Sequence, residues 1–378
     1  MRDKSGDTVF TFGEFHVANV DELLCENDMA KAFPGIQQQV DRANSSITQQ
    51  RIKRITPEYH QLKVCQVQWL GSGHATRVRA MDICDRLLFS SAADDDTTSV
   101  YSLMLNAEVG RLALHDNVIT AVVASHDGRF LGTAARDGAL HIWDPTTMKR
   151  ISTLMHATVV TAFAFSIDNV YVASCTQDRT VHLWSFQEGR TIRTIGEHRG
   201  VVTSIKFGPM NFFIATAASD KQVRLQGPFS PKPHLVFSKH TQPVLGLDIL
   251  LDDSTNASSS ISGEVKMLSC DSTVVYLWSS VDGIVSQQFE VATYNPIAKK
   301  TVGANAVSWG AACFAPQACG SYVVLATTTR LVVVVHTVHK EDDVYPLVVR
   351  SAVTALCRRG PRIAVGDNFG NQFLLILM

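Results

Sequence analysis

The stretch "SCTQDRTVHLWSF" (174–186) holds Thr176, Asp178 and Trp184, and His156 stands 22 residues before the aspartate. A histidine, a hydroxyl and a carboxylate are the parts of an acyl-transfer triad, in which the imidazole activates the hydroxyl and the acid orients the imidazole. The same histidine–aspartate spacing recurs from His115 to Asp137 and from His198 to Asp220. Catalytic sets do not repeat along a chain, so the recurrence argues for a structural role. No G-x-S-x-G elbow, Walker loop, G-x-G-x-x-G fingerprint or H-E-x-x-H pair accompanies it. The run Asp94-Asp95-Asp96 lacks the alternating oxygen donors of a calcium loop and reads as a solvated turn. The eight cysteines are scattered, without a C-x-x-C pair. They read as small hydrophobes in a reducing compartment, cytoplasm or nucleus. The expectation is a protein that is not an enzyme and needs no cofactor or metal.

The elements that carry these residues repeat too. Trp143 to Trp184 is 41 residues, and Trp184 to Gln226 is 42. Each histidine is followed by a β-rich stretch: "VITAVVAS", "VVTAFAFS", "VVTSIKFG". Fainter copies flank these. His74 and the acidic turn precede Tyr101, which stands where tryptophan is expected. His240, Asp271 and Trp278 follow, around a polar insertion at 252–264. Two degenerate units complete the count. Inner strands are predicted to start near Arg77, Ile119, Val160, Val202, Val244, Asn305 and Ala352. The stretch "QLKVCQVQWL" (61–70) is an orphan strand, predicted to complete the last unit and close a ring.

Periods of this length with H…D…W anchors resemble the WD40 repeat, in which each unit is a four-stranded propeller blade. The resemblance covers residues 59–378 and implies an all-β, seven-bladed propeller. In that family a histidine, a strand Ser or Thr, a turn Asp and a tryptophan form a buried hydrogen-bonded tetrad. Carried over, the most complete set is His156, Thr176, Asp178 and Trp184. His115, Asp137 and Trp143, like His198 and Asp220, form partial sets, because Ala135 and Ala218 stand where Thr176 does. Asp178 is therefore expected to matter more to stability than Asp137 or Asp220. The family also places the residue three after each histidine, and the one before each turn aspartate, near the top rim. The first set is Arg77, Val118, Val159, Val201 and Pro243, mostly apolar. The second is Arg136, Gln177 and Ser219, all polar. An apolar collar with a polar rim is the layout of a protein-binding spot.

Residues 1–58 precede the predicted propeller as an extension, partly helical or extended. Residues 1–30 carry seven acids against two bases, and 31–56 five bases against one acid. "NVDELLCENDMAKAFPG" reads as a short helix, with Asn19 as N-cap and Pro34-Gly35 as stop. The net charge of −1 gives no general attraction to nucleic acid or anionic membrane, and no apolar run is long enough to span one. Basic clusters are small: "RIKR" (51–54), Lys299-Lys300, and Arg358, Arg359 and Arg362. The expected function is a non-enzymatic scaffold, a propeller subunit of a larger multiprotein assembly that docks partners on its top face. The alternative is an RNA-associated propeller of a ribonucleoprotein or RNA-processing complex, which needs a basic stripe with aromatic platforms.

Overall fold

A computed structural model describes residues 64–377, apart from 85, 197, 251–264, 294–307, 315–321, 330, 337–343, 349–350 and 360–361. The extension and its expected helix lie outside the described residues.

Seven four-stranded antiparallel sheets form the propeller. The strands of each blade are lettered a to d from the central channel outward. Strand a is β2 (Val78–Cys84), β6 (Ile119–Ala124), β10 (Val160–Phe165), β14 (Val202–Phe207), β18 (Val244–Ile249), β22 (Trp309–Phe314) and β26 (Val353–Arg359) in blades one to seven. The sixth strand thus begins at Trp309, not near Asn305. Strand d of blade seven is β1 (Val64–Ser72), which pairs antiparallel with β28 (Asn371–Leu377). The closing strand lies slightly later in the chain than the apolar run alone suggests, because its pairing extends to Ser72↔Asn371.

Strand b of each blade is buried along its length, as in Leu131–Ala135 and Tyr322–Thr327. Both its faces are covered by neighbouring blades, so these strands read as continuous apolar runs instead of alternating ones. Strand d is exposed on one face and alternates, as in Lys149–Met155. The core therefore lies between blades. Phe163, Val172 and Trp184 of the third blade pack on Ala134, Leu140 and Ile142 of the second.

Every strand a carries a bulge after its first residue, for example between Ile119 and Ala121. The bulged residue is a threonine in blades two, three, four and seven, and in the first three it ties two blades together. Thr120 Oγ1 donates to its own blade's Ala134 carbonyl at 3.1 Å and to the next blade's Val160 carbonyl at 2.6 Å. Thr161 repeats this with Cys175 and Val202, and Thr203 with Ala217 and Val244. At the lower end of the channel, Asp82 accepts from Ala124 N and Asp248 from Phe314 N, each in the following blade. One hydroxyl or carboxylate thus ties two otherwise separate sheets.

Candidate interaction face

The b–c turns and the d–a loops share one end of the ring, the top. The histidines come from those loops and the aspartates from those turns. In blade two the chain of bonds is complete. His115 Nδ1 lies 3.0 Å from Asp137 Oδ2, its Nε2 lies 2.8 Å from Thr133 Oγ1, and Trp143 Nε1 donates to Thr133 Oγ1 at 2.9 Å. Blade five has a second complete set, with His240–Asp271 at 2.8 Å, His240–Ser269 at 2.8 Å and Trp278–Ser269 at 3.0 Å. Blade four keeps His198–Asp220 at 3.0 Å and His198–Thr216 at 2.8 Å. There Gln226 replaces the indole and donates instead to the Ser230 carbonyl.

The set His156, Thr176, Asp178, Trp184 does not form a tetrad. The hydroxyl between His156 and Trp184 belongs to Ser174, at 2.7 Å and 2.9 Å. His156 Nδ1 faces the Gly138 carbonyl at 3.1 Å, which takes the place of the carboxylate. The cause is Thr176 itself. Its hydroxyl and that of Thr180 both donate to Asp178 Oδ1 and hold the carboxylate within its own turn. Blade two has Ala135 and Ala139 at the corresponding positions, and blade four has Ala218 and Gln222, so their aspartates turn to the histidine. The blades of Asp137 and Asp220 are therefore the ones that join histidine to acid, the reverse of the sequence expectation. The legible signal was the distance from hydroxyl to tryptophan: ten residues for Thr133–Trp143 and Ser174–Trp184, nine for Ser269–Trp278.

Blade one departs further. His74 Nε2 meets Ser90 Oγ at 2.9 Å, while the hydroxyl of Tyr101 turns away to Asn106. The N–H that an indole supplies elsewhere comes from Gln372 of blade seven, donating to Ser90 Oγ at 2.7 Å. This buried bond closes the ring, and nothing local in the sequence announces it.

These sets cannot do acyl transfer. Thr133, Ser174 and Ser269 have no exposed surface, and each hydroxyl is already spent between imidazole and indole. Burial pushes the imidazoles of His141 and His156 down to about 4, so they are neutral structural groups at pH 7. In Asp271 burial opposes ionisation, but hydrogen bonds from His240, Thr273 and Val274 outweigh it and hold the carboxyl well below its usual range. Among the described residues, no group of three or more His, Cys, Asp or Glu side chains is placed to hold a metal. No described helix is long and apolar enough to cross a membrane. Cys84, Cys175, Cys270 and Cys313 are buried and in no disulfide, and burial raises the thiols of the last three far above their usual range.

The rim residues are paired through the backbone. Arg136 N donates to Val118 O at 3.0 Å, Gln177 N to Val159 O at 2.9 Å and Ser219 N to Val201 O at 2.9 Å. Arg77 O accepts from Ala93 N at 2.9 Å. Val118, Val159, Val201 and Ser219 are half-buried, whereas Arg77, Pro243, Arg136 and Gln177 are exposed. The turns themselves need an unusual backbone. Gly138, Arg179 and Lys221, each just after the turn aspartate, have φ of 82°, 73° and 70°. At Gly138 a Cβ would lie 2.6 Å from the His156 carbonyl oxygen, so only glycine fits.

The WD40 family (WD domain, G-beta repeat) matches residues 107–144, 148–185 and 189–225. The chain is also similar to Periodic tryptophan protein 2 of Arabidopsis thaliana, 24% identical over 258 residues. That match covers 66% of this chain and 27% of the relative, so the chain corresponds to about a quarter of that protein's length. The three matched repeats supply the inner strands of blades two, three and four, and four further four-stranded sheets complete the same ring: the chain belongs to the WD40-repeat propeller family.

Proposed function

We propose that this propeller is a non-catalytic scaffold, a subunit of a multiprotein assembly that receives a protein partner on its top face. One observation carries the reading. Half-buried valines at 118, 159 and 201 are each locked by a backbone bond to a polar residue beside them. An apolar collar held on rigid strand ends, with polar groups around it, suits a hot spot inside a solvated rim. Tetrads and bulge threonines satisfy the blades' polar groups internally, so the loops are free to carry recognition. A cytoplasmic or nuclear setting agrees with the buried cysteines, which are in no disulfide.

The test uses the full chain as bait in native lysate. Val159→Glu and Val201→Glu should abolish partner recovery while the melting temperature stays within a few degrees. Equal loss of stability and binding would assign the valines to the core. Unchanged binding would exclude the top face. Partners lost on nuclease treatment would favour the RNA-associated alternative.

A further inference from the structure

We propose that the upper mouth of the channel, beside blades one and two, binds an acidic peptide segment of the partner through Arg77, Arg79 and Arg136, with Phe369 as an apolar contact. This rests on the top-face docking reading and names the chemistry of its ligand.

The starting point is the bulged position of strand a. It holds a threonine in blades two, three, four and seven, Leu245 in blade five and Gly310 in blade six, and only in blade one a charged residue, Arg79. A guanidinium has donors for two carbonyls, yet among the described residues Arg79 makes no such bond, nor an ion pair. It is half-buried, and the charges acting on it are those of Arg136 and Arg77. Those two are exposed, and among the described residues their guanidinium groups have no hydrogen bond or ion pair either. Their places follow from the fold. Arg77 leads into β2, Arg79 holds the bulged position from which Thr120, Thr161 and Thr203 reach the next blade, and Arg136 stands on the b–c turn of the blade that follows.

Three like charges, none of them in an ion pair among the described residues, cost free energy in the unbound protein, and an anion bound between them lowers that cost. The neighbouring acids are engaged elsewhere: Asp95 lies 3.7 Å from Arg111, and Asp137 is bonded to His115. Phe369 is 66% exposed on the b–c turn of blade seven. That turn is pressed against the loop entering β2, since a Cβ on Gly370 would lie 2.8 Å from the Thr76 carbonyl oxygen. A large exposed ring on a tightly held turn is an anchor for an apolar side chain.

A peptide fits better than RNA. The cationic patch is small, and exposed Asp94, Asp96 and Asp116 on the adjacent turns repel a continuous phosphate chain. Separate carboxylates can each meet one guanidinium, in bidentate geometry, without approaching those acids.

The probe is a fluorescent peptide of repeating Glu-Glu-Leu units, titrated into the full chain by anisotropy. The Gln-Gln-Leu counterpart, a phosphoserine peptide and oligouridine are compared with it. We expect binding of the acidic peptide that weakens with salt. Arg79→Thr, which installs the residue of blades two to four, should weaken it about tenfold while keeping or raising the melting temperature. Arg136→Ala should act alike, and Arg190→Ala, at the start of a remote strand d, should change nothing. Equal binding of the Gln peptide, or an unchanged affinity in Arg79→Thr, overturns the inference. Preference for oligouridine or for the phosphoserine peptide alone overturns the carboxylate assignment. If Val159→Glu abolishes partner recovery but Arg79→Thr and Arg136→Ala leave it intact, the docking reading stands and this one falls. If none of them changes recovery, both fall.

Discussion

Asp137, Asp178 and Asp271 occupy equivalent turns and do different work. Asp137 and Asp271 accept from a buried imidazole, and the Asp271 side chain is almost fully enclosed. Asp178 is exposed and bonds only within its own turn. Replacing Asp137 or Asp271 with alanine strands a buried N–H and should cost about 1–3 kcal/mol. Asp178→Ala should cost less than about 1 kcal/mol, as at an ordinary surface site. Denaturant titration of the three variants checks the order; equal losses contradict it. The residue types of the tetrad were legible in the sequence, but their partners were not. Thr176 and Ser174 lie on the same strand face, two residues apart, and only the depth of the indole distinguishes them. Blade four offers the converse test. Its Gln226 leaves a small cavity lined by Val181, Ile195, His198 and Thr216. Gln226→Trp should fill it and donate to Thr216, raising stability by about 0.5–2 kcal/mol. A lower melting temperature would show that the Gln226–Ser230 bond holds the c–d loop in a way an indole cannot replace.

At the scale of elements, the strands of blades two to five were readable because turn acids and β-branched runs recur at a constant period. Blade six was not. Trp309 sits at the head of its strand a and bonds the Phe289 carbonyl of blade five, while Thr327 takes the turn position and bonds within it. Its strands b and c bury a nearly unbroken aliphatic run, with Val323, Leu325, Leu331, Val333 and Val335 in one cluster, so apolar burial forms the sheet without the tetrad. Blade seven keeps Asp367 in its turn, satisfied by Phe369 N and Asn371 instead of a histidine. With so little polar fastening there, closure depends on β1. A chain beginning at Gly73 leaves the outer edge of β28 unpaired. It should elute as aggregates in size-exclusion chromatography, because an open apolar edge invites strand addition. A synthetic peptide of residues 64–72 added during refolding should restore the monomer. Monomeric behaviour without the peptide would mean that interblade packing closes the ring unaided.

Around the whole ring, buried histidines make stability depend on pH in two stages. In the unfolded chain an imidazole titrates near about 6.5. Burial, with the charge of His115 adding to it, lowers His141 to about 4. Burial likewise lowers His156 to about 4, against the Gly138 carbonyl, which works to raise it. His74 and His182 are shifted the same way by burial. Between pH 6.5 and about 4, then, the unfolded state binds protons that the folded state refuses. The stabilisation is complete above 6.5 and drains away as pH falls through that window. The carboxylates act lower. Asp137, Asp220 and Asp271 are depressed, because their hydrogen bonds outweigh burial. Their contribution is intact above about pH 4 and is lost only below it. Urea midpoints should therefore be level from neutral pH to about 6.5, decline to about 4, and fall more steeply beyond. His156→Gln can still donate to Gly138 and accept from Ser174, but it does not titrate. It should make the first decline shallower, since His74, His141 and His182 still titrate, and leave the second unchanged. A midpoint that holds level from 6.5 to 4 in the parent chain would mean that the imidazoles gain protons without opening the blades.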